Sequence, residues 1–251
     1  MENHSYNAVI GSRQAPFQTD LARQCASVSG WATVGSPSLP NYIGLTSGST
    51  FGIADDGGPS SHPITADNLF RQVRAAGKTE RSYLEDMPGP CSAAATRTYA
   101  VKHNPAVYYI DPGDAAACRR DDLPLGSVSA GNLASDLAAG TLPNFAVITP
   151  NLCHDTHDCG VATGDAWLQQ WIPKLTATPG YRAGDTAIVV IYDEYTPVPN
   201  LFLAPSVQPG PRSIPSVNQY ALLRLTEDLL GLPGHLGSAQ SAPDLRAALH
   251  I

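Results

Sequence analysis

Charge is scarce in this chain. Charged side chains make up 15% of its 251 residues, and the 15 basic ones are scattered. No stripe of Lys and Arg is present to follow a phosphodiester backbone, so nothing points to nucleic-acid binding. No CxxC pair occurs, which argues against a structural zinc site. No apolar run is long enough to cross a membrane. No internal repeat and no linker interrupts the sequence. The composition is 43% hydrophobic with a net charge of -7, which is globular rather than disordered. Such a length predicts a single domain over residues 1–251, able to bury a core without staples.

Gly and Pro each number 22, so much of the chain is turn and loop. Five cysteines are present. Cys153 and Cys159 bracket HDTHD, and Cys91 and Cys118 flank a Pro/Ala-rich stretch. Two disulfides and one spare thiol would fit an oxidising compartment, and five reduced thiols are the alternative.

Helical and extended patterns alternate. TADNLFRQVRAAGK (65–78) predicts a helix with Thr65 as N-cap and Gly77 just past its end. NFAVITPN (144–151) reads as a buried strand. GDAWLQQWIPKL (164–175) places Trp167, Trp171 and Ile172 on one helical face. DTAIVVIYDE (185–194) is the clearest strand, and its unbroken β-branched run predicts burial on both faces in a parallel sheet. NLFLAPSV (200–207) reads as a further strand. SVNQYALLRLTEDLLGLPG (216–234) reads as a helix with Ser216 at its start and Gly231 at its end. The alternation predicts an α/β sandwich. Ligands in such folds bind beyond the carboxyl ends of strands.

Two segments in those positions are rich in ligand-type side chains. Asp193 and Glu194 end the clearest strand. Adjacent carboxylates there repel unless a proton or cation intervenes, and hard divalent cations prefer such oxygens. A solvated strand end is the plainer reading. His154, Asp155, His157 and Asp158 crowd between Cys153 and Cys159, a density that suits a metal or phosphate site or a polar surface turn. At the front, MENHSY presents Glu2, Asn3 and His4. PSLPNYIGLTSGST (37–50) is Pro-bounded and rich in hydroxyls. A serine in it becomes a nucleophile if a metal lowers its pKa; otherwise it is a turn before a helix.

Taken together, ENHSY, PSLPNYIGLTSGSTFGI, GKTERSYLEDMPGPC, YAVKHNPAVYY, PNLCHDTHDCGVATGDAWL, YDE and YALLRLTEDLLGLP fall in the order of a known family. Over nearly its whole length the chain resembles the bacterial phosphoesterase family. That family contains secreted acid phosphatases and nonhaemolytic-type phospholipases C, and it belongs to the alkaline-phosphatase-like superfamily. The resemblance implies a three-layer α/β/α sandwich around a mostly parallel sheet. It implies metal-dependent hydrolysis of phosphate monoesters, with a phospholipase C acting on lipid phosphodiesters as the runner-up.

Glu2, Asn3, Asp193 and Glu194 match the family's metal ligands, with Ser38 as both ligand and nucleophile. His103 and His157 match positions that bind phosphate or protonate the leaving group. His154, Asp155, Asn41 and Asp55 match substrate-binding or rim positions. Oxygen-rich ligands favour Ca, Mg or Mn over Zn. The expected partner is a small phosphorylated substrate or a phospholipid head group, and the expected location is the cell envelope or outside the cell.

Three departures stand against the pattern. The family carries an apolar strand, and usually a signal peptide, ahead of Glu-Asn, so a truncated sequence is expected here. The Gly-rich loop after YDE is replaced by YDEYTPVPNLFLAP. The usual His-Tyr near the last helix is Gln219-Tyr220. These departures motivate a third reading, an inactive or binding-only remnant.

Overall fold

A computed structural model describes residues 1–251. In chain order the elements begin with α1 (Tyr6–Val9), α2 (Pro16–Gln24), β1 (Ala26–Ser29), α3 (Ser38–Ser47), α4 (Leu69–Ala75) and β2 (Glu80–Leu84). There follow α5 (Pro112–Asp121), β3 (Asp122–Pro124), α6 (Asn132–Ala139), β4 (Phe145–Thr149), α7 (Val161–Thr176) and α8 (Pro179–Ala183). The chain closes with β5 (Ile188–Ile191), β6 (Asn200–Leu203), β7 (Gly210–Ser213), α9 (Gln219–Leu229) and α10 (Arg246–Leu249). Three of the five strand pairings are parallel, so the chain is the α/β protein expected, consistent with a three-layer arrangement. No helix is long and apolar enough to cross a membrane.

The chain divides into two compact units. One comprises Met1–Thr33, Cys153–Asn218 and Pro243–Ile251; the other comprises Val34–Leu152 and Gln219–Ala242.

In the first unit the strand order is β5-β6-β1-β7. β1 runs parallel to β7 and antiparallel to β6. The Asn200 side chain supports this arrangement: it accepts from Val28 N–H at 2.6 Å and donates to Val28 C=O at 2.8 Å. A buried amide thereby imitates one residue of ladder pairing. Trp31 packs on Phe202, with ring centroids 5.8 Å apart. Trp167, Trp171 and Ile172 of α7 are all buried, as their spacing predicts. α7 also supplies Asp165, whose carboxylate accepts from Phe17 N–H (3.1 Å) and Gln18 N–H (2.8 Å) and so satisfies the start of α2.

β5 corrects the expectation of a strand buried on both faces between parallel neighbours. It pairs antiparallel with β6, from Ile188↔Leu203 to Ile191↔Asn200, and of its four residues only Val190 is buried. The reason is connection length. A short loop separates β5 from β6, whereas a parallel return needs a crossover of a dozen residues or more.

The second unit holds an all-parallel sheet, order β3-β2-β4. Leu39 and Ile43 of α3, Phe70 of α4, and Tyr108 and Tyr109 form its main core. The helix expected over 65–78 is shorter. Asn68, not Thr65, is the N-cap, because its side chain accepts from Arg71 N–H. Gly77 lies just past the end at φ +70, a left-handed position that costs glycine little. Ser216, expected at the start of the last long helix, lies outside it at φ +58; α9 begins at Gln219.

Both expected disulfides are present, Cys91–Cys118 and Cys153–Cys159. Cys25 is the spare thiol, with burial pushing its pKa up to about 11.

Candidate active site

The expected site residues fall into two groups, one in each unit. In the first unit, the front of the chain continues the end of β5. The Met1 ammonium donates to Ile191 C=O at 3.1 Å, and Asp193 N–H donates to Met1 C=O at 3.1 Å. This alternation is parallel strand pairing. It sets Glu2 and Asn3 beside the acidic pair that ends β5. Asn3 N–H then donates to Asp193 Oδ1 at 3.3 Å.

The loop closed by Cys153–Cys159 is pinned to the same place. Glu2 N–H donates to Asp155 C=O at 2.7 Å, and Thr156 Oγ1 donates to Glu2 C=O at 2.7 Å. Glu2 and Asp155 are fully buried, and Asp193 is nearly so. A carboxylate oxygen of Glu2 lies within 4.8 Å of one of Asp155. Asn3 sits at φ +59, a left-handed conformation that Asn tolerates better than most residues. Its Oδ1 is buried and has no hydrogen-bond donor.

Such a set fits a hard divalent cation. Buried carboxylates in proximity repel unless a positive charge intervenes, and an orphaned amide oxygen is itself a ligand type such cations accept. Glu194 follows Asp193 and is half-buried. His154 is also half-buried. His157 N–H donates to Asp155 Oδ1 at 2.7 Å, while its ring Nδ1 lies 2.6 Å from Asp158 Oδ1. His4, which sequence reasoning left without a role, stands edge-on to Tyr192 at 6.5 Å, and burial lowers its pKa.

In the second unit, Ser38 is the first residue of α3 and is almost wholly buried. The first turn of a helix is the positive end of its dipole and favours an anion. The loop leading to Ser38 is held by Asn41. Its Oδ1 accepts from Val34 N–H (2.9 Å) and Gly35 N–H (3.2 Å), and its Nδ2 donates to Gly35 C=O (3.0 Å) and Pro37 C=O (3.3 Å). Gly35 is required by this closeness: a Cβ there would lie 2.7 Å from Pro40 Cβ. The Asn41 amide is thus occupied by backbone that precedes the serine.

His103 ends a 3-10 turn, Val101–His103, and is buried. Its ring stacks on Tyr42 at 5.1 Å and 13°. Tyr42 lies one helical turn beyond Ser38, so His103 flanks the start of α3. Asp55 is largely exposed. It accepts from Gly57 N–H at 2.7 Å and pairs with His62 Nε2 at 2.5 Å, and that bond holds its pKa below the ordinary value.

Asp56, the residue after it, turns inward. Its Oδ1 accepts from Leu39 N–H at 3.0 Å, and its Oδ2 accepts from Lys102 Nζ at 2.8 Å. Sequence reasoning missed both Asp56 and Lys102, since neither lies in a dense cluster of ligand-type residues.

Known proteins similar to this chain are phosphatases and their family. A model of the phosphoesterase family matches residues 8–197. A phosphatidylinositol-3-phosphatase from Mycobacterium tuberculosis is 30% identical, over 97% of this chain and 79% of its own length. An acid phosphatase from Aspergillus fumigatus is 31% identical, over 77% of this chain and 43% of its own length. A phosphate-repressible acid phosphatase from Penicillium chrysogenum is 26% identical, over 69% of this chain and 42% of its own length. The chain therefore spans less than half the length of these two fungal relatives.

Proposed function

The chain belongs to the phosphoesterase family, and from that premise we propose that it hydrolyses phosphate monoesters through a phosphoserine formed on Ser38. Phosphoric ester hydrolysis itself follows from family membership; the monoester, the serine and the metal are the further steps. The observation that carries the metal is the pairing that sets Glu2 and Asn3 beside Asp193, with the buried Asn3 Oδ1 lacking a donor. The family's motif order, ENHSY then PSLPN then YDE, is what pairs Ser38 with those ligands. In this reading residues 1–251 make one phosphoesterase domain.

Glu2, Asn3, Asp193, Glu194 and Ser38 would hold a divalent cation of the Ca, Mg or Mn type, which lowers the pKa of the Ser38 hydroxyl and offsets charge developing on the phosphoryl oxygens. Ser38 Oγ attacks phosphorus in line with the departing ester oxygen. That oxygen takes a proton from His103 or His157, and water then hydrolyses the phosphoserine. His154 and Asp155 line the phosphate side of the site. Asn41 acts by fixing the loop that presents Ser38, and Asp55 lies on the rim. Substrates within reach include lipid-borne monoesters, the class named in the mycobacterial relative. Two disulfides indicate a protein that works outside the cytoplasm, and we propose secretion or the cell envelope.

The test is steady-state hydrolysis of p-nitrophenyl phosphate. Ser38→Ala should lower kcat by on the order of 10³-fold or more with its melting temperature retained. A chelator should remove activity, and Ca, Mg or Mn should restore it. Near-normal turnover by Ser38→Ala removes the serine from the mechanism. Preference for p-nitrophenyl phosphorylcholine over the monoester would favour a phospholipase C instead.

A further inference from the structure

Asp56 sits where a carboxylate should do harm. It accepts from the Leu39 N–H, in the first turn of the helix that Ser38 opens. A negative charge there weakens the positive end that would attract a phosphoryl group. A neutral Ser, Thr or Asn would cap the same N–H without that cost. What the carboxylate does, and a neutral cap would not, is hold an ammonium. Asp56 Oδ2 accepts from Lys102 Nζ at 2.8 Å, and the Lys102 side chain is only 19% exposed. Lys102 also directly precedes His103, whose ring stacks on Tyr42 of α3. One carboxylate thus ties the Val101–His103 turn to the start of the serine's helix.

We propose that Asp56 is a positioning residue that holds the Lys102 ammonium beside the start of the Ser38 helix, where Lys102 binds the phosphoryl group of the substrate. This rests on Ser38 being the nucleophile. Lysine suits the role as a compact point charge that meets phosphate oxygens without a fixed fork geometry. Once phosphate arrives, the ammonium is shared between Asp56 and a phosphoryl oxygen.

The experiment is a double-mutant cycle on the full chain, with p-nitrophenyl phosphate as substrate and inorganic phosphate as competitive inhibitor. Asp56→Asn keeps an oxygen for the Leu39 N–H but loses the charge that anchors Lys102. Asp56→Asn and Lys102→Ala should each lower kcat/KM roughly ten- to a hundredfold. KM and the inhibition constant for phosphate should rise together, with kcat changed less, because the charge binds substrate before it reacts. The double variant should be no worse than Lys102→Ala, since Asp56 acts through Lys102. Lys102→Arg should recover part of the loss.

Wild-type kcat/KM in Asp56→Asn would overturn the proposal, and so would losses that multiply in the double variant. If Asp56→Asn does not fold, Asp56→Ser, a neutral cap, takes its place in the cycle. Ser38→Ala runs beside these proteins: activity surviving there refutes the nucleophile, whatever the cycle reads.

Discussion

Asp122 tests the balance between burial and charge in the second unit. It opens β3 and is 1% exposed. Its Oδ2 accepts from Asn104 Nδ2 at 2.8 Å and lies 3.6 Å from Cys118 Sγ, in the Cys91–Cys118 disulfide; its Oδ1 has no donor. Burial is the main force on this carboxyl, the Glu80 charge adds to it, and the Asn104 bond opposes both. Together they push its pKa up to about 7, from 3.8.

The folded protein therefore favours the neutral acid. Below the unfolded pKa both states are protonated and there is no penalty. As pH rises towards about 7 the penalty grows, and above that it is complete. At about 1.4 kcal/mol per pH unit, the ceiling is about 4 kcal/mol. Asp122→Asn keeps an acceptor for Asn104 and cannot ionise. Measured by calorimetry at pH 5 and pH 8 with disulfides intact, its melting temperature relative to wild type should rise with pH. The rise should be on the order of 10 °C for a chain of this size. A mutant-minus-wild-type difference that is the same at both pH values would refute the reasoning.

Further expectations concern single features of each unit. Replacing Cys91 and Cys118 together by Ser opens a crosslink between residues 27 apart and should cost about 3.5 kcal/mol, read as a lower urea midpoint. An unchanged midpoint would mean that the unfolded chain gains no freedom from the cut. Asn200→Leu removes both bonds to Val28 and leaves buried backbone groups unpaired, at about 2–3 kcal/mol. Retained stability in that variant would show that β1 and β6 need no side-chain bridge.

The sequence made the helices legible wherever one face carried the signal. Trp167, Trp171 and Ile172 predicted α7, and all three are buried. β4 lies inside its expected apolar run but is not the buried strand expected: of its five residues only Thr149 is buried. β5 misled because hydrophobicity reports how apolar a strand is, not which neighbour it pairs with; connection length decided that. Thr65 and Asn68 are both acceptable caps by residue type, and only the bond from Arg71 separates them.

At the site, dense groups of ligand-type residues were visible, and Asp193 does meet Asn3. Asp55 and Asp56 show where such reading stops. They are adjacent and chemically identical. One faces water and His62, while the other faces Leu39 and Lys102. The direction each side chain takes comes from tertiary contacts that no local pattern encodes.

The interleaving of the two units bears on how the chain is made. Val34–Leu152 and Gln219–Ala242 form one unit, and the other is assembled from the three segments around them. β1 pairs with β7, more than 180 residues downstream. At a synthesis rate of roughly 5–20 residues per second, that partner emerges about 10–35 s after β1 does. Until then the β7 edge of β1 has no neighbour, and β6, its partner on the other edge, emerges only shortly before β7. A nascent chain in this state carries an unpaired strand edge, so completion of the first unit waits on one of its last segments.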